Sequence, residues 1–209
     1  MNDKRYEAGI LTVRQASALS NVPEKALRRW IRRGAIQSVP NIRQGWPTVT
    51  LAGLIESHLA GELMGRGYSP RKVSDILASL EGRERSDYIE NVPKLVTDKV
   101  EIFIQDPELL TRLKDGQGAF QWLGETLDPI VSIDGQVRAF DPPKAPFTRV
   151  HPGVNGGRLS LINTQVPVFA LVGSLQAGES VTAVADEYEV PVDDVAPIAE
   201  DLNWFAKAA

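Results

Sequence analysis

The sequence predicts a mainly α-helical fold with small β elements in three parts. These are a winged helix-turn-helix N-terminal domain over residues 1–85, a short α/β middle segment over 86–148, and a C-terminal three-helix, helix-turn-helix-like dimerisation domain over 149–209. Three observations lead there. Between Leu11 and Ile36 two short blocks carry apolar residues at helical spacing, and arginines crowd the outer face of the second. The extended stretches are short and flank turn-forming residues. Charge divides along the chain: residues 1–85 hold 14 Lys plus Arg against 8 Asp plus Glu (+6), and residues 86–209 hold 9 against 19 (−10), within a total of −4.

In the first block Val13, Ala16 and Leu19 form an apolar stripe that Thr12 can cap. Asn21 stands where a left-handed residue is commonly needed, and Pro23 with Glu24 opens the next helix. There Ala26, Leu27, Trp30 and Ile31 face the first helix, so Lys25, Arg28, Arg29, Arg32 and Arg33 are left outside. With Arg14 on the first helix they make a basic surface suited to phosphates and to guanine edges in the major groove. Residues 37–50 read as two extended stretches around Arg43-Gln44-Gly45, a small wing that lets Arg43 reach a flanking phosphate or minor groove. Leu51, Leu54, Ile55, Leu59 and Leu63 then repeat at helical spacing, and Ser69-Pro70 opens a further helix with Val73, Ile76, Leu77 and Leu80 inward.

In the middle segment Val100, Ile102 and Ile104 alternate as a strand, and Val131 with Ile133 leads through Asp134-Gly135 into a hairpin with 136–140. Residues 141–146, DPPKAP, read as a stiff connector and place a boundary near 148. Beyond it, helices are expected over 180–188, capped by Ser180, and over 192–205, where Pro197 shortens or kinks the helix. Val166, Val168, Phe169, Leu171, Val172 and Leu175 offer more apolar surface than sixty residues bury comfortably, which points to a homodimer through Val166, Val168, Phe169, Val172 and Leu175. A shift of 168 positions aligns Ser17, Asn21, Val22, Pro23 and Leu27 with Ala185, Glu189, Val190, Pro191 and Val195, an echo of the first helix pair. Asp186, Glu187, Glu189, Asp193, Asp194, Glu200 and Asp201 make this second unit repel phosphate, so a protein partner is expected for it.

Enzyme chemistry finds little support. His58 and His151 are the two histidines; the first reads as a hydrogen-bonded core residue and the second as a turn-positioning one, with no metal-ligand spacing and no nucleophile beside a base. Gly153, Gly156 and Gly157 lack the Lys-Ser/Thr pair of a phosphate loop, and Asp134 and Asp141 read as loop-shaping residues. No cofactor is implied. Cysteine is absent, which excludes disulfides and thiolate zinc sites. The N-terminus lacks an apolar signal region, and residues 166–175 are too short to span a bilayer, so a cytoplasmic protein is expected.

The segments LTVRQASALSNV, ALRRWIRRGAI and WPTVTLAGLIESHL resemble the N-terminal domain of MerR-type regulators over about eighty residues. That resemblance implies Arg28 on DNA backbone, Trp30 in the aromatic core position and Arg43 in the wing, with Asn21 in place of the usual turn glycine. MerR-type activators usually dimerise through a long helix after the wing; Gly61, Gly65, Gly67 and Pro70 are expected to interrupt that stretch here. HPGVNGGRLSLINTQVPV followed by LQAGESVTAVADEYEVPVDDV resembles a small bacterial domain family found in antitoxins, with Leu159, Asn163 and Gln165 departing from a proline, a glycine and an arginine. The two together resemble VapB-type antitoxins. This implies a protein that binds its own operator in double-stranded DNA, represses its promoter and neutralises a PIN-like ribonuclease toxin. The alternative is a stand-alone MerR-like regulator whose residues 86–209 sense a small ligand.

Overall fold

The computed structural model describes residues 7–39, 46–78, 126, 128–133 and 136–209. Among them the chain is mainly helical, with eight α-helices and two small antiparallel sheets. The wing tip with Arg43, and Val100, Ile102, Ile104 and Leu80, lie outside the described residues.

Helix α1 (Val13–Ser20) opens on a capping box: the Thr12 hydroxyl accepts from the Gln15 backbone N–H, and the Gln15 side chain accepts from the Thr12 N–H at 2.8 Å. It stops at Asn21, whose φ of 54° and ψ of 29° give the left-handed turn anticipated there. Helix α2 (Glu24–Arg32) starts after Pro23 and ends in a Schellman arrangement, in which Gly34 takes a φ of 77° and the Ala35 N–H reaches the Trp30 carbonyl at 3.0 Å. The stretches either side of residues 40–45 pair: Ser38 and Leu11 both bridge to Val49, and the Val39 N–H donates to the Thr48 carbonyl.

Helix α3 (Leu51–Gly65) is central, buried on every side from Leu51 to Ala60, and packs against α1, α4 (Pro70–Ala78) and the hairpin. Gly61 does not interrupt it. A Cβ at Gly61 would lie 2.1 Å from the Ser20 carbonyl oxygen, so this glycine is what lets α3 approach the end of α1. The helix ends instead at Arg66, followed by Gly67 with a φ of 88°.

Strands β1 (Ile130–Ile133) and β2 (Gln136–Phe140) form the expected hairpin, with a bulge at Val131/Ser132. The proline-rich segment after it is a packed turn and not an extended spacer. Pro142 and Ala145 are buried, the Ala145 N–H donates to the Pro142 carbonyl, and Asp141 grips Arg149 through two bonds of 2.6 and 2.7 Å. Phe140 and Val150 exchange both backbone bonds across it. The expected boundary near 148 is thus closed by paired backbone.

A second small sheet, β3 (Thr148–Arg149) with β4 (Ser160–Leu161), leads into α5 (Val168–Gln176) and α6 (Val181–Glu187), the latter capped by Ser180 as anticipated. The helix expected over 192–205 is two helices: α7 (Val192–Glu200), which contains Pro197, and α8 (Leu202–Ala208). The break falls at Asp201, whose carboxylate accepts from the Trp204 N–H and so caps α8. Helix α8 lies against both α5 and α1, and one hydrophobic core runs from Ile10 to Ala208. Among the described residues no helix is long and apolar enough to cross a membrane.

Candidate nucleic-acid interface

The candidate surface is built on α2. Its inner side is fixed by Ala26, Leu27 and Trp30, with Trp30 1% exposed and Leu27 fully buried, so rotation about the helix axis is not available. Lys25, Arg28, Arg29, Arg32 and Arg33 then follow at helical spacing on the opposite side, and all five are exposed. Arg14 is exposed on α1. Glu24 at the first turn and Arg29 and Arg32 in the last suit the helix dipole.

Arg28 is engaged by its own helix: its guanidinium donates to the Glu24 carboxylate through Nε at 2.9 Å. An exposed pair of this spacing contributes about 0.3–0.5 kcal/mol, less than a charge-assisted bond to phosphate, so Glu24 orients Arg28 without withholding it. Lys25, Arg29, Arg32 and Arg33 make no ion pair among the described residues. The structure thus brings the five α2 cations together on one face. Arg43 lies outside the described residues.

The residues assigned to dimerisation separate by burial. Val168 and Val172 lie inside the chain's own core, 0% and 5% exposed, because α5 packs on α6, α7 and α8. Val166 and Leu175 are half-buried. Phe169 remains 44% exposed, with the Arg158 guanidinium 4.9 Å above its ring.

His58 is a core residue. Its Nε2 lies 3.1 Å from the Thr126 carbonyl, which can only accept, so Nε2 carries the proton; its ring meets Phe140 edge-on. Burial pushes its pKa below the usual value, against the opposing effects of the Glu62 charge and the Thr126 bond. The His151 Nδ1 accepts from the Gly153 N–H within a turn. Among the described residues no three His, Cys, Asp or Glu side chains form a metal-holding group.

Sequence reasoning missed the attachment of α8. Gln15, having closed the cap of α1, donates from Nε2 to the Ala209 carbonyl at 2.8 Å, and the Trp204 indole N–H donates to the Ala18 carbonyl at 3.2 Å. Trp204 also packs edge-on against Phe205 and lies under Lys144. The signal was the Trp-Phe pair at the end of an otherwise acidic stretch, which asks for an apolar or carbonyl-rich neighbour.

No family model matches the sequence, and no curated protein matches it. The fold is similar to the crystal structure of Rv2018 from Mycobacterium tuberculosis, with a TM-score of 0.71 and 19% identity over 94% of this chain and 100% of that one. At that identity the likeness concerns architecture, a mainly helical chain with small antiparallel sheets.

Proposed function

We propose that this chain is a DNA-binding antitoxin of a type II toxin–antitoxin pair, which represses its own promoter and neutralises a PIN-like ribonuclease toxin. The observation that carries the DNA half is the row of exposed cations on α2, rigidly aimed by Leu27 and Trp30. In this reading α1, the left-handed Asn21 turn and α2 are a helix-turn-helix, α2 enters the major groove, and the paired stretches around Val49 are the base of a wing that carries Arg43. A homodimer would present two such helices to half-sites about one helical turn, or a multiple, apart on one face of the duplex. Phe169 under Arg158 is the predicted dimer residue whose side chain is most available to a second copy.

The antitoxin half rests on the sequence resemblance and on the acidic face of residues 179–201, which avoids phosphate and suits a protein. Affinity isolation of the tagged full-length chain from its host at moderate salt, followed by mass spectrometry, tests it. The expected result is a small nuclease rich in active-site carboxylates at near-stoichiometric amount. Recovery of the chain and DNA alone would overturn the toxin assignment and leave a stand-alone regulator.

A further inference from the structure

The echo between the two ends of the chain is a structural one, and it carries a reversal of charge. Thr12 and Ser180 cap α1 and α6 in the same way, each hydroxyl accepting from the backbone N–H three residues on at 3.2 Å. Asn21 and Glu189 take φ values of 54° and 53° at the same place in the turn, and Pro23 and Pro191 lead into α2 and α7 at φ −55° and −59°. Leu27 and Val195 are both fully buried, and Trp30 and Ile198 fill the next inward position at 1% and 0%. The two units therefore share the same turn and the same inward placement of their second helix.

On the outer faces Lys25 is matched by Asp193 and Arg32 by Glu200, while Arg28 and Arg29 are matched by Ala196 and Pro197, and Arg33 by Asp201, which is already held by Lys144 and caps α8. Residues 24–33 hold five cations and one carboxylate (+4), whereas the matching residues 192–201 hold four carboxylates and no cation (−4). Val192 stands at the start of α7, 44% exposed among these carboxylates, where α2 has Glu24. An apolar contact rimmed by one sign of charge has the composition of a recognition surface, and the chain itself supplies the opposite sign on the outer face of α2. Like charge already crowds the unit. The Glu179 carboxyl is raised above its usual pKa by desolvation first, and then by the charge and hydrogen bond of Glu187.

We propose that the acidic α6–α7 face of one copy docks on the basic α2 face of a second copy, with Val192 at the centre of the contact. Reciprocal docking of two copies closes a two-fold pair and occupies the same cations that the DNA reading assigns to phosphate. Duplex DNA and self-association then compete, a consequence that rests on that reading; the docking itself does not.

The test is sedimentation velocity of the full-length chain without DNA, at about 50 mM and about 500 mM salt, where the screening length shrinks several-fold. The expected result is a salt-sensitive association step, present at low salt and lost at high salt, separate from a dimer through Phe169, which high salt would leave intact. Asp193→Lys with Glu200→Lys should raise the self-dissociation constant at least about tenfold. Adding Lys25→Glu and Arg32→Glu to the same chain should restore association, which a folding defect would not. Association that ignores the Asp193→Lys/Glu200→Lys pair would overturn the proposal, as would a chain monomeric at low salt that instead captures a foreign basic protein. Titrating a promoter duplex into the wild-type pair separates the two claims. Displacement is expected, while charge-swappable association with no duplex binding would overturn the DNA reading and leave the docking standing.

Discussion

Arg28 and Arg29 are neighbours on one helix face with different surroundings, and in the proposed DNA-binding reading they take different work. Arg28 is steadied by Glu24, which suits a fixed backbone contact, whereas Arg29 makes no ion pair among the described residues and is free to reach a base edge. Arg29→Ala is therefore expected to reduce discrimination between operator and scrambled duplex by about 1–3 kcal/mol. Competition binding on both duplexes checks it, and equal loss on both would make Arg29 a phosphate contact. His58 gives a second prediction at this scale. Its folded pKa lies below the unfolded value of about 6.5, so the unfolded state takes up the proton first. The stability contributed by neutral His58 is then complete above that pH and is lost as pH falls through the window beneath it. His58→Phe should cost about 1–3 kcal/mol at pH 8 by leaving the Thr126 carbonyl unpaired. It should also flatten the decline of melting temperature between pH 7 and 5, and an unchanged decline would contradict the assignment.

The elements show which sequence signals are local and which are not. The caps at Thr12 and Ser180, the left-handed Asn21 and the start of α2 after Pro23 were legible because each is decided within about four residues. Gly61 was misread because its role is set by a carbonyl forty-one positions earlier, at Ser20. The break at Asp201 was misread for a related reason: Pro197 marks strain in a helix, but a carboxylate able to cap the next turn decides where the chain bends. Gly61 and Gly65 give a paired test. Alanine is favoured over glycine in a helix by about 1 kcal/mol, and at Gly65, where a Cβ meets nothing within 4 Å, Gly65→Ala should stabilise by up to that amount. At Gly61 the added carbon meets backbone, so Gly61→Ala should destabilise by about 1–3 kcal/mol despite the same propensity gain. Chemical denaturation of both variants checks the signs.

Among the described residues, one hydrophobic core draws on both ends of the chain and on the 130–150 region. The division at 85 follows a change in charge and the one at 148 follows a proline-rich segment, but these describe surface and local backbone, and the core is set by contacts such as Trp204 to Ala18 that span 186 positions. No periodicity reports such a pairing. Its consequence is a single cooperative unfolding transition in calorimetry, equal by helical and tryptophan signals, with no separate melting of the C-terminal helices. Trp204→Ala should lower stability by about 3 kcal/mol, near the bottom of the range for large-to-small changes because the indole is half-buried, while keeping the transition single. The basic surface was legible because a short amphipathic helix leaves its outer face to be read by subtraction; Arg43 lies outside the described residues, and the burial of Val168 and Val172 emerged from the packing of α5.

The central claim is that the outer face of α2 binds duplex DNA. Its most direct test is fluorescence anisotropy of a labelled promoter duplex with the full-length chain across a salt series. Expected is a linear fall of log affinity with log salt, at about −0.9 per phosphate contacted, and a slope shallower by about 2–3 for Arg28→Ala/Arg32→Ala/Arg33→Ala. Binding that is absent at low salt, or that keeps the same slope in the triple variant, would contradict it.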